Sequence, residues 1–193
     1  MPKPNFLLCI DTETTGLDPF KHDLLDLSYA YVNPSSGEQL GEIRKIHFPL
    51  STGWTLNADP KALEVNGYDT DYVPPTWSEF VNEGGLDELY TVLGPDVMLM
   101  GANIQFDIRF LAQFFRKYED YLQRTDKWFP LVNTQPWYYK ALDIQAYYAG
   151  QAMLGAFDML SLSQLCDWLG VDNTGAHDSS EDVRRTIECY QKM

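Results

Sequence analysis

The chain has 193 residues and a formal net charge of −14, from 14 Lys and Arg residues against 28 Asp and Glu residues. Its hydrophobic content of 45% and aromatic content of 14% exclude a disordered chain, and the length predicts a single domain over residues 1–193. The acidic balance argues against a protein that grips duplex nucleic acid through a broad basic face, but it is compatible with an enzyme that engages a few nucleotides through bound cations.

The first predicted element is a buried strand, because residues 6–10 form a short, continuous apolar run. Asp11 and Glu13 follow at alternate positions, so their side chains point to the same side of the strand. Thr14 and Gly16 end the strand, and Gly16 lets another backbone or a ligand come close. Paired carboxylates at a strand end predict a Mg²⁺ or Mn²⁺ site, although a strand that runs into an acidic turn would give the same pair.

Two more strands are predicted directly after the first. Apolar and polar residues alternate over residues 23–32, a turn follows at residues 33–37, and residues 41–48 form the third strand. Strands joined by such short turns indicate an antiparallel meander.

The next part of the chain is predicted to be helical after a loop at residues 49–57. A short helix covers residues 59–65 and ends at Gly67. A longer helix covers residues 76–93, with a weak point at Gly84.

The remaining elements alternate between strands and helices. The predicted strands cover residues 97–100 and 141–146, and the predicted helices cover residues 103–118, 159–169 and 179–192. A meander that continues with crossovers predicts an α/β fold with a mixed sheet flanked by helices.

A second candidate site opens the helix predicted at residues 103–118. Asn103 and Asp107 are four residues apart and would share one helix face near the carboxyl end of the preceding strand. A carboxylate in the first turns also gains from the helix dipole. The alternative is a capping Asn followed by an Asp that only suits the dipole.

A third candidate site lies at the start of the last helix. His177 and Asp182 can converge if the His lies on the preceding loop and the Asp in the first turns. Asp178 or Ser179 is the expected N-cap. The alternative is an ordinary helix start with an incidental His.

Together these segments resemble a known enzyme family. The string D-x-E-T-T-G-L at residues 11–17, N-x-x-F-D ending at Asp107, and H-x₄-D from His177 to Asp182 resemble, in this order, the three motifs of the DEDDh (DnaQ-like) 3′→5′ exonucleases. Ser179 is a departure, because this family usually has Ala there. The resemblance implies a ribonuclease H-like three-layer fold with a mixed central sheet.

The resemblance also implies a two-metal mechanism. It assigns two divalent ions, Mg²⁺ or Mn²⁺, to four carboxylates: Asp11, Glu13, Asp107 and Asp182. It assigns the role of general base to His177, and it implies that Glu13 also orients the attacking water. It places the terminal nucleotide against Thr14, Gly16, Leu17, Asn103 and Phe106. The expected products are nucleoside 5′-monophosphates.

The expected substrate is single-stranded DNA or a short oligonucleotide, in proofreading, DNA repair or nucleotide salvage. An exoribonuclease of the same superfamily is the nearest alternative, because no residue pattern here clearly selects the 2′-hydroxyl. A catalytically inactive binding module would have lost a metal ligand or the His, whereas all five motif residues are present. The acidic balance leaves open that a polymerase or another protein partner supplies a basic strand-binding face, and the oligomeric state stays open too.

Three further observations bear on environment and binding. The three cysteines are odd in number and far apart, which predicts reduced thiols in a cytoplasmic protein. No apolar run approaches the ~20 residues that span a bilayer. Trp54, Trp128 and the cluster Trp137-Tyr138-Tyr139 could stack on the bases of a single strand, although core packing is the commoner role of such residues.

Overall fold

The computed structural model describes residues 4–124, 136–155, 158–175 and 177–193. The strands are β1 Phe6–Thr14, β2 Leu24–Val32, β3 Gln39–His47, β4 Val97–Gly101 and β5 Ala141–Asp143. The helices are α1 Trp54–Asn57, α2 Pro60–Asn66, α3 Trp77–Asn82, α4 Gly85–Val92, α5 Gln105–Arg124, α6 Ile144–Gln151, α7 Leu162–Leu169 and α8 Ser179–Lys192. Within the described ranges, no helix has the length and apolar character needed to cross a membrane.

The five strands form one mixed sheet in the order β3-β2-β1-β4-β5. β1 pairs antiparallel with β2, and β2 pairs antiparallel with β3. β4 runs parallel to β1, and β5 runs parallel to β4. The predicted meander followed by parallel strands is therefore confirmed, with β1 at the centre of the sheet.

Helices cover both faces of this sheet because β1 alternates between two hydrophobic cores. Leu8 and Ile10 belong to one core, with residues of α3, α4 and α5. Leu7 and Cys9 belong to the other core, with residues of α6, α7 and α8. The result is the predicted three-layer α/β arrangement, in which β1 is buried from both sides.

The helix predicted over residues 76–93 is in fact two helices. Thr76 begins α3 with a reciprocal capping box to Glu79, and Gly84, with φ +85°, separates α3 from α4. A left-handed residue cannot continue an α-helix, so the predicted weak point is a complete break. The loop predicted at residues 49–57 also contains the short helix α1.

The strand predicted over residues 141–146 is wrong in its second half. β5 ends at Asp143, whose carboxylate accepts hydrogen bonds from the backbone N–H groups of Gln145 and Ala146. These bonds make Asp143 the N-cap of α6, a helix that the sequence analysis missed. One carboxylate therefore ends the strand and starts the helix.

Candidate active site

The two carboxylates of the first motif lie near the carboxyl end of β1, as predicted. Asp11 and Glu13 share the face of β1 that carries Cys9. The Cys9 thiol donates to the carbonyl oxygen of Val183 in α8 at 3.8 Å. Both carboxylates therefore belong to the side of the sheet that α8 covers.

Strand pairing extends this polar face across β2 and β3. The register forms two rows, Asp11–Ser28–Lys45 and Glu13–Asp26–His47. Directly paired residues point to the same face. Asp26 and Ser28 are fully buried, and the sequence analysis identified neither as a site residue. The alternation of β2 did place them on one face, but their burial depends on α8.

Asp107 reaches the same strand end from the other side of the sheet. It is the third residue of α5, is 3% exposed, and accepts a hydrogen bond from the Thr12 hydroxyl at 2.7 Å. Thr12 lies between the two carboxylates of β1 and points away from them. This contact was not predicted from the sequence, although strand alternation places Thr12 on the α5 face.

Asn103 does not share a helix face with Asp107, contrary to the prediction. It is exposed, it precedes α5, and its φ of +56° is left-handed. Asn tolerates this conformation better than most residues. Phe106 is half-buried, and its ring lies 4.9 Å from the ring of Phe110. Phe106 is therefore held at the border of the core beside Asp107.

The third motif lies at the start of α8. Asp178 is the N-cap, one of the two predicted, and accepts hydrogen bonds from the N–H groups of Ser180 at 2.9 Å and Glu181 at 3.3 Å. His177 is exposed on the preceding turn, with φ +70°. Asp182 lies in the first turn of α8. The sequence therefore predicted this loop–helix boundary correctly.

A buried arginine holds Asp182. Arg185 is 1% exposed, and its guanidinium donates to Oδ1 of Asp182 and to Oδ1 of Asn173. Among the described residues, Arg185 Nε is buried without an acceptor. Arg185 was not predicted as a site residue, because its spacing from Asp182 is common on helix surfaces and does not indicate burial.

The remaining residues of the first motif lie at the carboxyl end of β1 and in the segment that follows it. The Thr14 hydroxyl donates to the carbonyl of Gly16 at 2.8 Å, and the Asn66 side chain donates to the carbonyl of Thr14 at 3.0 Å. A Cβ at Gly16 would lie 2.5 Å from the ring of His22, so this position has no room for a side chain. Leu17 is 77% exposed and is free to contact a ligand.

Burial and neighbouring charges raise the pKa of three of the clustered carboxylates. Burial raises the pKa of Asp11 well above its usual range, and the charges of Asp107 and Asp182 raise it further. Burial, then the neighbouring Asp26, raises the pKa of Glu13 to about 8. Burial raises the pKa of Asp107 to about 7. The charges that act on Asp11 and Glu13 come from all three motifs, which indicates that the motifs meet at one place with an excess of negative charge.

The chemistry of this cluster fits a divalent cation. Asp11, Glu13, Asp107 and Asp182 offer only carboxylate oxygens, the donors that Mg²⁺ and Mn²⁺ prefer, and a cation would relieve their repulsion. Across the described ranges, no three His, Cys, Asp or Glu side chains already stand in a coordinating arrangement. To bind one ion together, these side chains have to turn toward a common point, and Asp182 can offer Oδ2 while its Oδ1 accepts from Arg185.

The tryptophans give little support to base stacking. Trp54 and Trp137 are 8% and 7% exposed and belong to the hydrophobic cores. Trp128 lies outside the described residues. Core packing, the alternative considered for these residues, is therefore correct for Trp54 and Trp137.

Comparison with known proteins adds both family and fold. A family model described as exonuclease (RNase_T) matches residues 8–190. No curated protein matches the sequence significantly. Exonuclease I, in a structure reported to suggest how processivity is achieved, superposes with a TM-score of 0.72 at 17% identity, over 97% of this chain and 40% of its own.

Two further structures of exonuclease I give the same result. A zinc-bound E. coli exonuclease I–ssDNA complex matches with a TM-score of 0.69 at 18% identity, and E. coli exonuclease I with a dA16 oligonucleotide matches with 0.68 at 20%. Both matches cover 97% of this chain and 40% of the other, so this chain spans less than half the length of those proteins. The identities are low enough that these structures establish the fold alone. The family match over residues 8–190 establishes that the chain belongs to the exonuclease family, with a ribonuclease H-like fold.

Proposed function

We propose that the chain is a divalent-metal-dependent 3′→5′ exonuclease that hydrolyses single-stranded DNA or short oligonucleotides and releases nucleoside 5′-monophosphates. The observation that carries this proposal is the meeting of the three motifs' carboxylates at one sheet end, where the charges of Asp107 and Asp182 raise the pKa of the buried Asp11 further. An acidic cluster of this kind suits cations and the phosphate that they hold.

The four carboxylates Asp11, Glu13, Asp107 and Asp182 would hold two Mg²⁺ or Mn²⁺ ions. When bound, such ions activate water and neutralise the charge that develops on the phosphate. Thr12 keeps Asp107 oriented through its hydroxyl, and Arg185 keeps Asp182 oriented through its guanidinium.

His177 acts as the general base in this proposal. Its side chain is exposed on the turn that precedes α8, so the imidazole can meet a solvent water. Imidazole is the commonest general base among protein side chains. Glu13, on the α8 side of β1, orients the same water before it attacks the phosphate.

The substrate is proposed to be single-stranded DNA held by its terminal nucleotide. Thr14, Gly16 and Leu17 form the mouth of the site, and the exposed Leu17 side chain packs against the terminal base. Asn103 and Phe106 line the same region next to Asp107. The solved exonuclease I complexes with single-stranded DNA, which share the fold, support DNA as the polymer.

The wider setting is proposed from charge and cysteine chemistry. The net charge of −14 leaves room for a polymerase or another protein partner that supplies a basic strand-binding face. Such an assembly would serve proofreading or DNA repair. The cysteines Cys9, Cys166 and Cys189 are buried free thiols, which supports a reducing, cytoplasmic setting.

Cleavage of matched 5′-labelled single-stranded DNA and RNA tests the proposal. We expect Mg²⁺ or Mn²⁺, but not EDTA, to give a ladder that shortens from the 3′ end. Asp11→Asn and His177→Ala should each lower the rate by about 10²–10⁴-fold. Asp87→Asn, an exposed carboxylate change in α4, serves as the matched control and should leave the rate unchanged. Absence of cleavage with both metals and both polymers would contradict a free-standing nuclease, and faster RNA cleavage would favour the exoribonuclease.

A further inference from the structure

Asp26 is a buried carboxylate that the proposed chemistry does not use. It is fully buried and lies directly opposite Glu13 in the β1–β2 register. Its Oδ1 accepts a hydrogen bond from the Ser179 hydroxyl. Its Oδ2 accepts one from the Tyr68 hydroxyl at 2.6 Å. Each carboxylate oxygen therefore has a donor from a different part of the chain.

These contacts tie Asp26 to both residues that follow His177. Ser179 is the first residue of α8 and is bound directly. Asp178 is bound through Lys45, whose Nζ lies 3.1 Å from Asp178 Oδ2 and 3.9 Å from Asp26 Oδ2. The Ser28 hydroxyl, also fully buried, adds hydrogen-bond contacts to Ser179 at 2.8 Å and to Ser180 at 2.9 Å. The start of α8 is thus held against β2 by a network of buried hydrogen bonds.

These hydrogen bonds bear on the position of His177, because His177 is exposed and has a left-handed backbone conformation. The position of its imidazole relative to Asp11 and Glu13 therefore depends on where residues 178 and 179 are held. A buried carboxylate with both oxygens hydrogen-bonded has a well-defined geometry, because any displacement leaves a charge unpaired in the interior.

We infer that Asp26 is a positioning residue that sets the place of His177 by holding Asp178 and Ser179 at the start of α8. This inference rests on the proposed nuclease function, in which His177 takes a proton from water. A purely structural Asp26 would affect only the stability of the fold and would leave the turnover of the folded enzyme unchanged.

Two substitutions test the inference in the full chain. Asp26→Asn removes the charge with little change in shape, and Ser179→Ala removes only the donor on α8. Tyr29→Phe is the matched control, because the Tyr29 hydroxyl donates to Glu88 at 2.5 Å from the opposite face of β2. We expect faster amide hydrogen exchange at residues 180–183 in both test variants and exchange like wild type in the control.

Steady-state kinetics supply the functional readout. We expect Asp26→Asn and Ser179→Ala to lower kcat by about tenfold while KM changes by less than about twofold, because substrate contacts are untouched. The double variant Ser179→Ala/His177→Ala should be no slower than His177→Ala alone, since Ser179 contacts no proposed metal ligand and acts through the His. Multiplicative losses, an unchanged kcat, or a change in KM alone would overturn the inference.

The two readouts keep this inference separate from the proposed function. If the wild-type protein cleaves no nucleic acid, the nuclease proposal fails, whereas hydrogen exchange still decides whether Asp26 holds the start of α8. Unchanged exchange in both test variants would overturn the positioning role whatever the activity.

Discussion

Thr12 shows how one uncharged side chain can organise a cluster of carboxylates. It stands between Asp11 and Glu13 in sequence, yet its hydroxyl serves Asp107 on the other side of the sheet. A donor to a buried carboxylate favours the charged form, which a cation needs. The motif residues were predictable because their types and spacing signal chemistry. Thr12 was not predictable, because no neighbouring residue in the sequence indicates that α5 packs against it.

Replacing Thr12 with Val keeps the shape of the side chain but removes the donor. We expect the free energy of unfolding to fall by about 1–2 kcal/mol, because Asp107 loses a buried hydrogen bond. Mn²⁺ affinity should fall by about tenfold. Thr12→Ser retains the hydroxyl and should behave like wild type in urea denaturation and in Mn²⁺ titration. If the Val variant is as stable as wild type and binds Mn²⁺ as tightly, Thr12 has no role in the site.

The raised pKa of Glu13 gives the metal-free protein a definite pH dependence. Its folded-state pKa is about 8, against an ordinary value of 4.5. The folded state therefore holds this proton more tightly than the unfolded state, and the stabilisation is lost as pH rises through the folded pKa. We expect the Tm measured in EDTA to fall between about pH 5 and pH 8, and Glu13→Gln to flatten part of this fall.

A control substitution at an exposed Glu separates the titration of Glu13 from a general effect of net charge on Tm. Glu64→Gln alters an exposed residue of α2 and should leave the pH slope of Tm as in wild type. An equally steep fall in Glu13→Gln and wild type would show that Glu13 does not titrate as described.

At the scale of elements, α8 supplies Asp182 to the site and covers the polar face of β1 and β2. Its prediction over residues 179–192 is confirmed, because a strong capping signal precedes an amphipathic run. The prediction failed where two signals overlap in one residue: Asp143 ends β5 and also caps α6. It failed again at Gly84, where local pattern could not tell a weak point from a complete break.

The cap of α8 can be tested separately from its ion pair. Asp178→Ala removes the acceptor for two backbone N–H groups, and we expect a loss of about 1 kcal/mol in unfolding free energy with fraying of the turn that carries Asp182. Asp178→Asn keeps the cap but loses the charge that pairs with Lys45. Chemical denaturation should therefore rank wild type and Asn close together and Ala lowest; an Ala variant as stable as the Asn variant would contradict the capping role.

At the scale of the whole molecule, the site exists only where β1, α5 and α8 meet. Asp26 and Ser28 illustrate the limit of the sequence: the alternation of β2 gave their common face, but only the packing of α8 buries them. Contacts between residues more than 150 positions apart, such as Asp26–Ser179, have no local signature. The family resemblance supplied the pairing of distant motifs that local patterns could not.

The net charge of −14 leads to a prediction about salt. A chain that holds a strand by its end through few phosphate contacts releases few counterions. We expect KM for a single-stranded oligonucleotide to rise by less than about tenfold between about 50 and 200 mM salt, whereas proteins with many phosphate contacts lose about 10³–10⁵-fold in affinity. A rise in KM of about 10³-fold or more would indicate a basic binding surface that the described residues do not show.

The central claim is that carboxylates from three segments form one divalent-metal site. Calorimetric titration of Mn²⁺ into wild type and into Asp11→Asn, Glu13→Gln, Asp107→Asn and Asp182→Asn tests it most directly, with Asp87→Asn as the exposed control. We expect each of the four changes to weaken Mn²⁺ binding by at least about tenfold and the control to bind like wild type. Wild-type binding by Asp107→Asn or Asp182→Asn would contradict the claim, because the second or third motif would then stand outside the site.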